Sequence, residues 1–539
     1  MSSRLRRTLF SLVVFFVACG FAGVFISQRV GAQSSTDESV FRDSLKSFSS
    51  VYQIVADNYA EPLTGDKPDI AIYDGAIPGM LRTLDPHSNF YDPKAYAKMR
   101  EDQHGKYYGV GMVIQPQNNK IVVVYPYENT PSFKAGLRPG DVILSVDGKS
   151  TSNMNSEEVA NMLKGPRGTH VKLSVNREGS SAPLSFDLVR DEIPHPSVDL
   201  KYEIKPGIGY VHITQFQETT GREFSDAVDS FGDLKGLVLD LRGNPGGLLT
   251  EAVAVCDKLL SRGQIIVSQR GRAYPEQIYR ATHGNGGRDF PVIVLVNHGT
   301  ASAAEIVSGA LQDHDRAIVV GEITFGKGLV QTVYPLSENT GLALTTYHYY
   351  TPSGRLIQRN YNGVSLYDYY YNHDQPQDTK DREVKLTDSG RTVYGGGGIT
   401  PDYKIDTPKS NHFEDLLSAH NVFFNFTKHY LANRTVEKNF QVDDQVMQAF
   451  KQFLTEQNIA YTDQDFNGAG VMDWVKTNIA ADIMTSQFGQ LQGLRIRAAW
   501  DPMIAQAVSY MPQAAALEQN AVKSNVAKQT ARNNGPAAQ

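Results

Sequence analysis

The sequence predicts an α/β core of sheet and helix layers, with a β-rich module inserted before it and helical segments at both ends. Three observations predict it. An apolar strand, Pro291–Val296, a helix-compatible run from Ser302 and a second apolar strand, Ala317–Val320, follow one another in the order of a parallel crossover. Between 105 and 190, short β-rich runs alternate with turn signals. On either side, in 38–103 and beyond His412, apolar residues recur at three-and-four spacing.

A chain of 539 residues, 41% hydrophobic and 20% charged, is long enough for several domains with full cores. Its formal net charge of −6 gives no basic footprint, so nucleic acid is not expected as a partner. Arg4, Arg6 and Arg7 precede an apolar run, Leu9–Ile26, and Val30-Gly-Ala32 precedes Gln33. Residues 1–32 read as a secretory signal cleaved after Ala32 or as an uncleaved anchor, with the body exported in either case. That predicts a periplasmic or extracytoplasmic protein and leaves open an inner-membrane association through 9–26. Of two cysteines, Cys19 lies in this leader and Cys256 in a predicted helix, so there is no disulfide framework.

Residues 38–103 form a helical region, with Val40, Leu45, Phe48, Val51, Tyr52 and Val55 on one face. In 105–190 the strands are Val110–Ile114, Ile121–Val124, Val142–Val146 and Val171–Val175, with one helix at Ser156–Leu163. The core spans 193–405 and includes strands Gly236–Leu241 and Gly341–Tyr350 and a helix at Leu248–Leu260. Within it, the tyrosine-rich Tyr361–Arg391 reads as a surface excursion. Residues 410–511 are helical with no chemistry apparent. Residues 512–539, rich in Ala, Asn and Gln, are expected to be a disordered tail.

The chemistry concentrates in Asn297–Gln331. The crossover sets Ser302 at a helix N-terminus on the carboxyl edge of the sheet, and Lys327 leaves the next strand on that same edge. A serine needs a base, and a lysine becomes one when burial lowers its pKa from about 10.4 toward roughly 7–8. Lys327 sits between Gly326 and Gly328 in an otherwise uncharged stretch, Ile323–Val330. The helix N-terminus also suits a developing oxyanion. Ser302-Ala-Ala-Glu305 equally fits a capping box, in which Ser302 is only an N-cap. The glycine loop DLRGNPGG, 240–247, is either a tight strand-to-helix turn or a second oxyanion donor near Gly246; it lacks both nucleotide-binding fingerprints. The histidines show no metal spacing, and His87 in LDPHS reads as a packed or turn-stabilising residue.

LDPHSNFY (84–91), DLRGNPGG (240–247), NHGTASAAEI (297–306), GEITFGKGLVQ (321–331) and YYTPSGRLIQ (349–358) together resemble the carboxyl-terminal processing, or tail-specific, proteases. Within 105–190, YYGVGMVI, AGLRPGDVILSVDG and EEVANMLKGPRGT resemble a PDZ domain. The resemblance implies a peptidase core of crotonase/ClpP-like sheet–helix layers and a Ser–Lys dyad with no metal or cofactor. It implies Ser302 as nucleophile, Lys327 as base, Gln331 orienting the lysine, and an oxyanion hole from Ala303 and about Gly246. It also implies that Gly109, Val110, Gly111 and Met112 bind the C-termini of protein or peptide substrates. A homo-oligomer or an adaptor protein is left open. Ala304 departs from the family, where serine is common. A non-catalytic PDZ scaffold is the alternative, and a Ser-His-Asp hydrolase is disfavoured because no G-x-S-x-G elbow occurs.

Overall fold

A computed structural model describes residues 39–65, 67–372 and 382–521. Residues 1–32 and the stretch 522–539 of the expected tail lie outside it. The chain divides into two compact units at Thr83/Leu84. In the first, a helix spans 39–58, and the apolar stripe Val40, Leu45, Phe48, Val51 and Val55 is exposed along it.

In the second unit a short strand, Asn89–Tyr91, precedes α1, Pro93–His104, which is capped by the Asp92 side chain. A two-stranded ribbon, Lys106–Gly109 against Asp191–Pro194, then carries the chain into and out of the inserted module. That module is a sheet of β1 (Met112–Gln117), β2 (Lys120–Pro126), β3 (Val142–Val146), β4 (His170–Asn176) and β5 (Leu184–Val189), in that order. Its helix α2, Ser156–Leu163, has the bounds the sequence predicts and is fixed by an Asn155/Glu158 capping box. Val159 and Leu163 of α2 join Val123, Val146, Val171 and Val175 in a core of the module's own.

The main sheet is ordered β6 (Val198–Lys205), β7 (Ile208–Ile213), β8 (Gly236–Asp240), β9 (Val292–Val296), β10 (Ala317–Gly321) and, after strands β11 (Leu329–Pro335) and β12 (Gly341–Tyr350) of a second sheet, β13 (Tyr403–Lys404). From β7 to β13 all neighbours are parallel. The crossovers are helical: α3 (Thr220–Asp229) leads to β8, α4 (Leu249–Asp257) follows it, and α5 (Ala303–Asp313) joins β9 to β10. Strands β8, β9 and β10 read as unbroken apolar runs because both faces are covered. Leu237, Leu239, Val292 and Val294 pack toward α4 and α5. Val238, Ile293, Leu295 and Val320 pack on the other side against Met503, Ile504, Ala507 and Val508.

Thus part of the C-terminal region completes the core by covering a sheet face that would otherwise be wet. The remainder, from Phe413 to Ile483, forms a helical cluster of its own around Phe426, Phe450 and Val475. The helix beyond Tyr510 continues to 521, with Ala514 buried and Glu518 paired to Arg316, so 512–521 are not a disordered tail. Apolar side chains every third or fourth residue, Met511, Ala514 and Leu517, fix this helix on the sheet.

The described residues of Tyr361–Arg391 lie mostly at the surface, as expected of an excursion, with a marked exception. Helix α6, Leu366–Tyr371, turns Tyr369 inward until it is 2% exposed. Its ring lies 5.4 Å from that of Phe325 and under the Arg359 guanidinium at 4.7 Å.

Candidate active site

Ser302 ends the turn that leaves β9 and opens α5. Its backbone has φ 54° and ψ −115°, a conformation that costs a non-glycine residue of order 1–3 kcal/mol. The surroundings pin it from both ends. Its N–H donates to Glu305 Oε2 at 2.8 Å, and its carbonyl accepts from Glu305 N–H at 2.8 Å and from the Tyr349 hydroxyl at 3.1 Å. Ala301 N–H donates to the Asn244 carbonyl at 2.9 Å, which ties the serine turn to the glycine loop. The glutamate half of the expected capping box is present, with Glu305 accepting the Ser302 amide, but its carboxylate reaches much further than a cap requires.

Lys327 enters the same crevice from the loop between β10 and β11. Its N–H donates to the same Glu305 Oε2 at 2.9 Å. The serine and lysine amides therefore meet at one oxygen. The other oxygen, Oε1, accepts from Gly326 N–H at 2.7 Å and from the Thr324 hydroxyl. Glu305 is fully buried, and burial raises its carboxyl above the ordinary carboxylate range despite these donors, which pull it down. Burial pushes the Lys327 ammonium below its ordinary range, against the opposing pull of Glu305 and Asp85. Among the described residues no acid forms an ion pair with Lys327 Nζ.

The glycine loop lies against the serine. A Cβ built on Gly246, at φ 97°, would stand 2.7 Å from Ser302 Cβ and 2.9 Å from Ala303 N, so no side chain fits. The amide of Gly246 itself is engaged, because it donates to Asn244 Oδ1 at 2.8 Å. The amides of Ala303 and Gly247 have no hydrogen-bond partner among the described residues.

Gln331 sits on β11, where Nε2 donates to Thr345 Oγ1 at 3.0 Å. Thr345 in turn donates to Asp85 Oδ1 at 3.1 Å, and Asp85 accepts the N–H groups of His87 and Ser88, each at 2.8 Å. The LDPHS turn is thereby fastened to β12, whose Thr345 also holds Gln331. His87 Nε2 meets the Tyr369 hydroxyl at 2.9 Å. Burial, reinforced by the Lys327 charge, lowers its pKa from 6.5 to about 3, so the ring is neutral. The stability this neutral ring contributes is whole above pH 6.5 and is lost as pH falls toward 3. In denaturant titrations, the advantage of the parent over His87→Asn should shrink across that window by up to about 1.4 kcal/mol per pH unit. An advantage independent of pH would contradict a buried neutral His87.

A cavity of about 250 Å³ lies between the inserted module and α1, lined by Glu101, Val110, Gly111, Met112, Leu163 and Lys164. Strand β1 is the free edge of its sheet. The carbonyls of Val110 and Gly111 accept from Ser132 N–H at 2.9 Å and Tyr127 N–H at 3.0 Å, while their amides have no partner among the described residues. Gly111 holds φ 77°, where a Cβ would strike Thr130 at 2.4 Å. Gly109 ends the ribbon strand before this loop.

These features define a peptidase core bearing a PDZ module. The sequence matches peptidase family S41 over 207–365, a PDZ domain over 122–177 and the C-terminal helical domain of a probable PDZ-protease over 413–467. It is 42% identical over 358 residues, 64% of this chain and 80% of the relative, to a carboxy-terminal-processing protease of Bartonella bacilliformis. It is 32% identical over 361 residues, 66% of this chain and 76% of the relative, to the carboxy-terminal processing protease CtpA of Bacillus subtilis. A solved photosystem II D1 C-terminal processing protease aligns at 27% identity over 67% of this chain and 92% of its own, with a TM-score of 0.33. The chain belongs to the carboxy-terminal processing proteases of peptidase family S41.

Asp85, Asn244, Thr324 and Tyr349 lie within the motifs that carry the resemblance, but nothing in the sequence assigned any of them a role. Glu305 had one, the capping box, which pointed to the helix alone.

Proposed function

We propose that this peptidase is an exported serine endopeptidase that holds protein C-termini on its PDZ domain and cleaves near them with a Ser302–Lys327 dyad. The observation that carries the reading is the single Glu305 oxygen shared by the amides of Ser302 and Lys327, at 2.8 and 2.9 Å. Neutral Lys327 takes the proton of Ser302 Oγ as that oxygen attacks the peptide carbonyl, then passes it to the departing amine. Water, deprotonated by the same lysine, releases the acyl group from the serine. Ala303 N–H is one oxyanion donor, and the unengaged Gly247 amide replaces Gly246 as the second. Gln331 acts through Thr345 and Asp85 on the walls of the lysine's crevice.

The free amides of Val110 and Gly111 supply the partners a terminal carboxylate needs, and the open edge of β1 accepts the preceding residues as an added strand. A charge-assisted hydrogen bond of this kind is worth about 1.5–3 kcal/mol, roughly ten- to a hundred-fold in affinity. A peptide ending in a free carboxylate should be bound and cleaved that much better than its amidated twin. Equal cleavage of the two would reject tail reading and leave the peptidase assignment intact.

Export rests on the arginine-flanked run 9–26, which lies outside the described residues. No helix of the described residues is long and apolar enough to cross a membrane. Protease added to spheroplasts should digest the body; protection of the body in intact spheroplasts would contradict export.

A further inference from the structure

We propose that Glu305 is the positioning residue of the site: its buried carboxylate clamps the serine turn to the lysine loop and sets their register. The inference rests on the Ser302–Lys327 reading above and goes beyond it, because it names what holds the two groups to each other. An N-terminal cap of α5 needs only the Ser302 amide, at 2.8 Å from Oε2. Glu305 uses its remaining capacity entirely on the lysine loop, on the amides of Lys327 and Gly326 and the hydroxyl of Thr324. None of these three belongs to the helix that carries Glu305. Thr324 extends the clamp, since its hydroxyl accepts from Ile399 N–H at 2.7 Å.

The chemistry requires a carboxylate. Four donors converge on two oxygens, two on each, and an ionised carboxylate is the side chain that only accepts. A glutamine keeps one carbonyl oxygen, so one arm of the clamp is lost whichever way its amide turns. The negative charge has a second effect: it favours the protonated form of Lys327 and so limits how far burial lowers that lysine. The other titratable groups of the crevice are Asp85, His87, Arg359, Tyr349 and Tyr369. The variants below leave each of them in place.

The test is the pH–rate profile of peptide cleavage by the full chain, with Glu305→Gln and Glu305→Asp beside the parent. Glu305→Gln should lower kcat at least ten-fold with KM within about three-fold, and should move the acid limb to lower pH because the lysine loses a neighbouring negative charge. Glu305→Asp keeps the charge but is one methylene too short to serve both elements, so its kcat should fall at least ten-fold with the acid limb unmoved. Thermal unfolding of each variant separates this from loss of fold. If Glu305→Gln does not fold, the aspartate variant decides alone, and a parental kcat for it overturns the proposal. A folded Glu305→Gln whose acid limb stays in place overturns it as well. Ser302→Ala in the same assay tests the dyad separately, since residual cleavage there would remove the reading on which this rests and not the clamp itself.

Discussion

Lys327→Arg should leave the protein folded and abolish peptide cleavage, and Ser302→Ala should do the same. Arginine retains the charge and much of the length of lysine but does not deprotonate in proteins, so it cannot take the serine proton. The site is built to make lysine's deprotonation easy: burial depresses its pKa, and no acid among the described residues pairs with its ammonium. Loss of general base catalysis together with the nucleophile it activates removes several orders of magnitude in kcat. Circular dichroism would verify the fold, and cleavage of a fluorogenic peptide would read the activity. Substantial turnover by folded Lys327→Arg would contradict a lysine base. His87 is another candidate, but burial lowers its pKa to about 3, which makes it a weak base, and its Nε2 stands 2.9 Å from the Tyr369 hydroxyl.

The second large effect is expected on stability, at Asp313 and Arg355. Both are buried to within 1% of full enclosure. Arg355 Nη2 donates to Asp313 Oδ1 at 2.7 Å and to Gln312 Oε1 at 2.8 Å. Asp313 also accepts from Ser353 N–H at 3.0 Å and from the Thr351 hydroxyl. The TPSGR turn is thereby fastened to the C-terminal end of α5, the helix whose other end bears Ser302. Removing one member leaves the other charge buried without its partner, which costs about 3–5 kcal/mol. Asp313→Ala should lower the denaturant midpoint of the core accordingly. A loss below about 1 kcal/mol would mean that water or a rearranged side chain relieves the stranded arginine.

What was legible in the sequence was local. Helix α2 carries its start signal in Asn155 and Glu158, and its bounds follow from the sequence. The crossover from β9 through α5 to β10 is readable because two apolar runs and a helical spacing suffice to define it. Three things at the site were not readable. A positive φ at Ser302 is imposed by Tyr349, Glu305 and Asn244, from three separate elements, and serine itself does not announce it. The stretch Ile323–Val330 is uncharged along the chain, yet Glu305 and Asp85 face Lys327 in space. Gly246 was the natural oxyanion candidate by its glycine type, but which amide of the pair is engaged depends on Asn244 folding back upon it. Burial failed as an expectation in the same way. Tyr369 lies in a polar, tyrosine-rich stretch and is nevertheless buried against Phe325, and Val508 packs with Val238, Ile293 and Leu295 of a sheet formed far earlier in the chain.

The central claim is that Ser302 becomes acylated with Lys327 as the base. The most direct measurement is peptide mapping by mass spectrometry of the protein quenched during turnover of an activated peptide ester. The account predicts an acyl adduct on Ser302 in the parent and none in Lys327→Met under the same conditions. An adduct on another residue, or an undiminished Ser302 adduct in Lys327→Met, would contradict it.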